Sequence, residues 1–278
     1  MVFALVLVSA FLHAAWNALA KRARDPAWAV HVAVALSGAI AALIAGGELV
    51  LGRGGLTWVA LAWSLFAGLF ESRYFHVLGR ALVSGPLAPV YTLSRGAAAL
   101  LIWPVSVAFL DERLSTLGML GTGLILAGLI AAGLARGMHR VAVRLGLECA
   151  LAIAGYHFGY KLALDAGGSP AAVFTLSIGW ATFLNLATGG SEFRASFTRA
   201  VRGIERTTLF AGVVCAASFL LFMTALARGG AGWVFTLRNT SVLFATGLGA
   251  LAGEPPGRRQ LLGAALVCSG AIALGLER

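Results

Sequence analysis

Charged residues are scarce in this sequence, and their scarcity excludes an ordinary soluble domain. Only 12% of the 278 residues are Asp, Glu, Lys or Arg, whereas a soluble domain carries about 25%. The hydrophobic share is 59% and the mean hydropathy is +0.89. Too few polar side chains remain to cover a surface that faces water, so the composition indicates a membrane protein.

Cysteine is also rare, and familiar enzyme motifs are missing. Cys149, Cys215 and Cys268 lie far apart, each in an apolar run, so we expect three separate buried thiols and no metal site. The sequence has no phosphate-binding Gly-x-x-x-x-Gly-Lys-Ser/Thr loop, no His-Glu-x-x-His and no Gly-x-Ser-x-Gly. ATP is therefore not the direct energy source, and we expect no cofactor and no catalytic residue.

Long apolar runs separated by short polar breaks are what the sequence has in abundance. The runs are continuous rather than alternating, and about 20 apolar residues cross a bilayer as a helix. Two breaks, Asp25-Pro26 and Ser169-Pro170, place a capping residue before a proline at the first helical position. The ten predicted spans are residues 2–20, 27–47, 57–79, 87–109, 115–135, 145–164, 170–189, 208–227, 231–252 and 261–276.

The net charge of +10 arises from basic residues clustered in the loops between these runs. Such clusters are typical of cytoplasmic loops, and they argue against nucleic-acid binding. The odd-numbered loops carry 13 Lys and Arg residues, and the even-numbered loops with the C-terminus carry 4. The positive-inside rule then predicts a multi-pass protein of a bacterial-type inner membrane, with the odd loops in the cytoplasm and both termini outside.

The chain contains an internal repeat. Most matching positions lie 144 residues apart, and after a two-residue deletion the separation becomes 142. The matches include His13 with His157, Trp16 with Tyr160, Pro26 with Pro170, Gly85 with Gly229, Val90-Tyr91-Thr92-Leu93 with Val234-Phe235-Thr236-Leu237, Glu112 with Glu254, Gly121 with Gly263, and Gly128 with Gly270.

The repeat divides the chain into two five-span halves. The predicted boundaries are 1–137 for the first half, 138–144 for a basic linker and 145–278 for the second half. Because five is odd, the second half inserts upside down relative to the first, as in many secondary transporters. The predicted fold is an all-α membrane protein of ten transmembrane helices, built from two inverted five-helix repeats around a central cavity.

Several short motifs resemble those of EamA-type drug/metabolite transporters. They are His13-Ala14-Ala15-Trp16-Asn17 in the first span, Ser94-Arg95-Gly96 in the fourth, Asp111-Glu112-Arg113-Leu114-Ser115 after it, and Arg238-Asn239-Thr240-Ser241 in the ninth. The resemblance covers the whole chain and implies ten helices that move a small metabolite, without naming it. Glu254 departs from the pattern, because Pro255-Pro256 follows it instead of Arg-Leu.

Polar and aromatic residues form one stripe on each of four spans. His13, Trp16 and Asn17 stand at helical spacing on one face, and the same spacing recurs in the fourth, sixth and ninth spans. Ionisable groups at membrane depth are costly and usually face a cavity or a partner. The candidate substrate-binding residues are His13, Trp16, Asn17, Glu71, Tyr74, Tyr91, Arg95, His157, Tyr160, Lys161, Arg238 and Asn239.

Structural roles for these residues stay open at this point. Arg95 and Arg238 could be held by backbone carbonyls or a carboxylate, Glu71 could pair with a basic residue of another span, and the histidines could bond neighbouring helices. Lys161 lies near a span end, where its amine could reach the interface. The position of Glu112 at a helix end beside a basic residue favours a capping or interface role over substrate contact. The glycines of the fifth and tenth spans favour close helix packing.

The sequence favours a secondary transporter of a small anionic or zwitterionic metabolite that works by alternating access. Four in-span cations against Glu71 suggest the anionic group, and protons are a candidate coupling ion because histidine titrates near neutral pH. The partners expected are the substrate and the lipid bilayer, with a monomer or a homodimer as the assembly. The alternatives are an integral membrane enzyme acting on lipid or a lipid-linked substrate, and a non-transporting adaptor whose centre would be packed with large apolar residues.

Overall fold

The computed structural model describes residues 1–84, 87–110, 112–113, 115–133, 140–251 and 256–276. Within these residues the regular secondary structure is helical, with no β-strand. The helices are α1 (Val2–Lys21), α2 (Pro26–Val50), α3 (Trp58–Ser84), α4 (Leu87–Phe109), α5 (Thr116–Gly133), α6 (Arg140–Asp165), α7 (Pro170–Thr188), α8 (Gly190–Arg202), α9 (Arg206–Leu226), α10 (Ala231–Arg238), α11 (Ser241–Leu251) and α12 (Arg258–Leu276).

Over the residues that the structure describes, the apolar runs identified in the sequence are helical, apart from a break in the ninth run. Helices α1, α2, α7, α9 and α12 are each long and apolar enough to cross a bilayer. The capping residues act as their types predict: the Asp25 carboxylate accepts from Trp28 N at 3.3 Å, and the Ser169 hydroxyl accepts from Ala172 N at 3.3 Å. The chain is a multi-pass α-helical membrane protein. Helix α6 begins at Arg140, so part of the predicted linker is already helical.

The ninth apolar run is not one helix, as the sequence suggested, but two. Helix α10 ends at Arg238, and a turn at Asn239 and Thr240 separates it from α11. Thr240 N bonds the Leu237 carbonyl at 3.1 Å, which is a three-residue closure rather than an α-helical one. All residues of α10 are buried, and a broken helix at membrane depth is tolerated where protein surrounds it.

Helix α8 was not predicted, because the segment after α7 is polar and basic. Its apolar residues Phe193, Phe197 and Val201 recur every fourth position and share one face, with Arg194 and Arg202 among the polar residues beside them. Phe193 packs against Trp28 of α2, with ring centroids 4.8 Å apart. A helix of this kind lies along a membrane surface rather than across the membrane.

The contacts between the two halves occur in equivalent pairs: where a helix packs on a partner in the opposite half, its equivalent packs on the equivalent partner. Helix α3 packs on α6 and α7, and the equivalent helix of the second half, α9, packs on α1 and α2. Helix α4 packs on α6, and its equivalent α11 packs on α1. Helices α2 and α7 contact each other, as do α5 and α12. The core therefore lies at the interface of the halves, not inside each half.

Glycines permit the closest of these contacts. A Cβ added at Gly121 would lie 2.9 Å from the Gly270 carbonyl oxygen, and one added at Gly128 would lie 2.6 Å from the Gly263 carbonyl oxygen. Exchanging the two halves converts the Gly121–Gly270 pair into the Gly128–Gly263 pair. From the first pair to the second, the residue number rises on α5 and falls on α12. Helices α5 and α12 therefore pack antiparallel, with backbones too close for any larger residue.

The cysteine prediction needs one correction. Cys149 and Cys215 are buried as expected, but Cys268 is exposed. It lies on the outer side of α12, where a small weakly polar thiol is compatible with lipid.

Candidate substrate-binding site

The polar stripes of four helices meet in the middle of the fold. His13 of α1, Arg95 of α4, His157 of α6 and Arg238 of α10 are all within 2% of complete burial. Two of these helices belong to each half, so the site is assembled only when the halves pack together. The centre is polar, which differs from the large apolar pack that an adaptor would have.

The His13 ring is the hub of this cluster. Arg95 Nη2 bonds its Nε2 atom, while Arg238 Nη2 and Trp16 Nε1 lie 3.3 and 3.2 Å from its Nδ1 atom. A neutral imidazole accepts through only one of its two nitrogens. Three N–H donors thus converge on a ring with one acceptor position, and the surroundings of His13 are rich in donors. Asn17 bonds the His13 carbonyl oxygen at 2.7 Å and anchors the same turn.

Aromatic rings form the wall behind Arg238. Its guanidinium carbon lies 3.9 Å from the Phe222 ring centroid and 4.6 Å from that of Phe219. A cation over an aromatic face is stabilised without being neutralised. The rings of α9 therefore hold Arg238 in place and leave its positive charge in the centre of the site.

Glu71 is the acid of the cluster, and it lies on α3 at complete burial. Its oxygens accept hydrogen bonds from the Tyr160 hydroxyl of α6 and the Ser177 hydroxyl of α7. The sequence suggested that Glu71 could pair with a basic residue of another span. Among the ion pairs of the described residues, none involves Glu71, and its partners are these two hydroxyl groups instead. The charge of Arg238 acts on this carboxylate electrostatically.

Three buried side chains of the cluster retain polar atoms without a protein partner. Among the described residues these atoms are both amide atoms of Asn239, Nε2 of His157 and Oδ1 of Asn17. His157 uses its other nitrogen on the Ile153 carbonyl at 2.8 Å. Buried polar atoms are nearly always hydrogen-bonded in folded proteins, so atoms of this kind mark where a polar ligand or water belongs.

Comparison with known proteins finds a family match in the second half of the chain. Residues 141–276 match the model of the EamA-like transporter family. This match supports the family that the motifs resembled, whose members are transporters rather than enzymes. No curated protein sequence matches this chain.

The fold of the chain recurs among solved structures. One crystal structure, described only as that of a protein, aligns over 99% of this chain and 99% of its own, with a TM-score of 0.69 and 17% identity. Identity this low speaks for the fold alone. The alignment extends through both halves of the chain.

The remaining candidate residues divide into three groups. Trp16 and Tyr160 lie within the cluster, and Tyr74 packs beside it with its ring 5.6 Å from that of Tyr156. Lys161 points away, toward Asp165 at 2.8 Å, near the end of α6. The side chain of Tyr91 lies outside the described residues.

Sequence reasoning missed Ser177, Phe219 and Phe222 as parts of the site. The two phenylalanines look like any others in an apolar helix, and Ser177 has no charged neighbour in the sequence. The repeat offered one indication, since Ser177 replaces Ala33 at the equivalent position of the first half. A polar residue at one copy of a repeated apolar position is a usable signal of this kind.

Glu112 performs the capping role that its position favoured, but it caps a helix of the other half. Its two carboxylate oxygens accept from Gly232 N at 2.7 Å and Trp233 N at 2.8 Å, at the start of α10. A carboxylate at this end satisfies backbone donors and complements the helix dipole. The helix that carries Arg238 is thus anchored by the first half. The repeated residue, Glu254, lies outside the described residues.

Proposed function

We propose that this protein is a secondary transporter that moves a small anionic or zwitterionic metabolite by alternating access between two inverted halves. The observation that carries the proposal is the position of His13, which is contacted by Arg95 of the first half and Arg238 of the second inside a closed polar centre. A site built from both halves changes its exposure when the halves rearrange.

The packing supports the inverted arrangement of ten spans. Exchanging the halves reproduces the contacts of α3 with α6 and α7 as those of α9 with α1 and α2. The antiparallel α5–α12 pair obeys the same exchange. Two equivalent helices can run antiparallel only if their repeats are inverted, so α5 and α12 are the direct geometric argument for inversion.

The buried charges support an anionic group on the substrate. Arg95, Arg238 and Glu71 are the buried charged side chains in the described part of the chain, which gives two cations against one acid. Guanidinium groups suit carboxylate and phosphate ligands because their N–H donors form paired hydrogen bonds. The amide of Asn239 supplies a donor and an acceptor for the rest of the substrate.

The closed centre represents an occluded conformation in this proposal. His13, Arg95 and Arg238 are fully buried, so the cluster has no contact with solvent here. Opening to one side separates the helices that enclose the cluster and admits substrate, and opening to the other side releases it. The driving force is a proton gradient or the gradient of the substrate itself.

Transport by purified protein in liposomes tests the site. The probes are labelled amino acids for zwitterions and labelled short mono- and dicarboxylates for anions, each tested separately. We expect Arg95→Ala and Arg238→Ala each to reduce uptake by at least about tenfold, because a charge-assisted contact contributes about 1.5–3 kcal/mol. Arg228→Ala is the matched control, since this arginine is exposed near the C-terminal end of α9. Wild-type rates in both central variants would reject the site.

The orientation is tested by labelling single cysteines. The charge distribution supports both termini outside and the basic loops inside a bacterial-type inner membrane. In a Cys268→Ser background, a cysteine at Arg53 should react with an impermeant maleimide on intact cells, and one at Gly203 after α8 should react only after permeabilisation. The reverse pattern would overturn the orientation and leave the transport proposal standing.

A further inference from the structure

Glu71 occupies a chemical setting different from the rest of the site. Its carboxylate is surrounded by hydroxyl groups, the Tyr160 and Ser177 side chains, whereas the other buried charges surround His13. The Tyr160 hydroxyl also lies 3.3 Å from Ser177 Oγ. The three oxygen-bearing side chains come from α3, α6 and α7, so both halves contribute to this pocket too.

The groups that act on Glu71 come from four helices, α6, α7, α9 and α10. Helix α6 contributes Tyr160, α7 contributes Ser177, and α10 contributes the positive charge of Arg238. The Cys215 thiol of α9 also interacts with it electrostatically. From α2 the nearby polar side chain is Ser37, whose hydroxyl donates to the Val34 carbonyl at 2.7 Å, and Arg95 of α4 bonds His13 instead.

We propose that Glu71 is the proton-binding site of the transporter, and that proton and anionic substrate bind together and cross the membrane in the same direction. This inference rests on the proposed transport function. It reassigns Glu71 from substrate contact to coupling, with Tyr160 and Ser177 as positioning residues for its carboxylate.

Opposing effects allow Glu71 to exist with or without a proton. A charge is costly at membrane depth, while two hydroxyl donors stabilise a carboxylate. When a proton arrives from water, it forms an O–H bond on one carboxylate oxygen. The hydroxyl that donated to that oxygen then turns, and the new acid O–H becomes a donor. No other bond changes, and the proton leaves by the reverse step.

Arg238 connects this proton to the substrate. While Glu71 is negative, its charge offsets part of the positive charge that Arg238 offers to an anion. Protonation removes the offset, so an anion binds Arg238 more tightly when Glu71 carries a proton. By linkage, a bound anion also favours protonation of Glu71 by the same factor. Positive coupling between proton and substrate is the requirement for symport.

An infrared measurement tests the proton site without any substrate. Protein in liposomes is titrated with acid, and the carboxylic acid C=O stretching band is followed by difference spectroscopy. The chain has 11 acidic residues, and we expect the titrating bands to include one that vanishes in Glu71→Gln and changes frequency in Tyr160→Phe. Glu192→Gln, which alters an exposed acid on α8, should leave that band in place. A titration in which neither central variant changes any band would overturn the proposal.

A transport measurement separates this inference from the proposed function. Using the amino acid and carboxylate probes above, Glu71→Gln should lose accumulation driven by an inward proton gradient, yet still exchange labelled for unlabelled substrate across the membrane. Accumulation by Glu71→Gln at the wild-type level would overturn the proton site while leaving the transporter intact. Loss of exchange together with accumulation would overturn it as well, because Glu71 would then be a substrate contact or a structural residue.

Two further outcomes are decisive. Accumulation that follows a sodium gradient and ignores the proton gradient would assign the oxygen cluster to sodium and reject the proton. If the wild type moves none of the probes, the proposed substrate class fails, and the infrared titration alone decides whether Glu71 binds a proton. Retention of the monodisperse elution profile by Glu71→Gln in detergent shows that the variant is folded.

Discussion

The two halves share a scaffold but differ at the position where each third span meets the opposite half. In the first half Glu71 meets Tyr160 and Ser177. In the second half the residue equivalent to Glu71 is Cys215, and the residues equivalent to Tyr160 and Ser177 are Trp16 and Ala33 of the first half, each 144 positions away. The repeat therefore places a carboxylate with hydroxyl donors on one side and a thiol at the equivalent position on the other.

This difference shows that the repeat preserves the helix packing, while the carboxylate with its hydroxyl partners is present only at the third span of the first half. Gly68 and Gly212 illustrate the shared part. A Cβ on Gly68 would lie 2.5 Å from the Ser177 carbonyl oxygen, and a Cβ on Gly212 would lie 3.1 Å from the Ala33 carbonyl oxygen. The same glycine thus faces the same backbone in both halves, although the side chains beside it have diverged.

The largest effect is expected from copying the acid into the second half. Cys215→Glu places a carboxylate where Trp16 and Ala33 offer no hydroxyl, and an uncompensated buried charge costs several kcal/mol. We expect the folded protein to be lost or its apparent melting temperature in detergent to fall steeply. Cys215→Gln is the size-matched neutral control. Adding Trp16→Tyr and Ala33→Ser should recover part of the loss, and equal stability of the Glu and Gln variants would contradict the prediction.

A smaller effect should distinguish the two glycines. Gly68→Ala forces a methyl group against a backbone carbonyl, which cannot move without shifting α7, so we expect a cost of about 1–3 kcal/mol. At Gly212 the nearest atom is Cδ2 of Leu36, the flexible end of a side chain, so Gly212→Ala should cost less. Melting followed by tryptophan fluorescence measures both. A larger loss for Gly212→Ala would show that the packing is less alike than the sequence repeat.

The hydroxyl partner of Glu71 can be removed and, separately, introduced at the equivalent place. Ser177→Ala deletes a hydrogen bond to a buried acid and should cost about 1–3 kcal/mol. Ala33→Ser adds a hydroxyl where the residue equivalent to Glu71 is Cys215 and not a carboxylate. It should change the free energy of unfolding by less than about 1 kcal/mol, because a serine in a helix can bond its own backbone. Both are read from melting curves, and a neutral Ser177→Ala would remove Ser177 from the site.

The smallest effect is expected at the cap of α10. Glu112→Ala leaves Gly232 N and Trp233 N without the carboxylate and should cost about 0.5–2 kcal/mol. Glu112→Gln retains an acceptor oxygen and should cost less. Arg113→Ala, which alters the exposed neighbour, is the control. An unchanged melting temperature in Glu112→Ala would mean that water replaces the cap fully.

Most of the fold was predictable because hydrocarbon imposes a simple rule on sequence. Long apolar runs had to be helical, and their ends carried recognisable caps such as Asp25 and Ser169. The break at Asn239 was not predictable, since α10 and α11 together are as apolar as an unbroken span. Helix α8 was missed because its apolar face is only three residues long and its polar composition resembles a loop.

The site was predictable only in part, for a related reason. His13, Arg95, His157 and Arg238 stood out because polar residues are rare at membrane depth, and the structure brings them together. Lys161 stood out equally, yet it pairs with Asp165 near the end of α6. Spacing along one helix identifies a face, but it cannot say which neighbour that face meets.

The bond between Glu112 and the start of α10 has a consequence for how the molecule opens. The carboxylate belongs to the first half and the backbone donors belong to the second, so parting the halves at this end exposes two N–H groups and an anion at once. Only incoming water can take over those bonds. In the proposed transport cycle, opening at this end therefore requires water to enter between Glu112 and the start of α10.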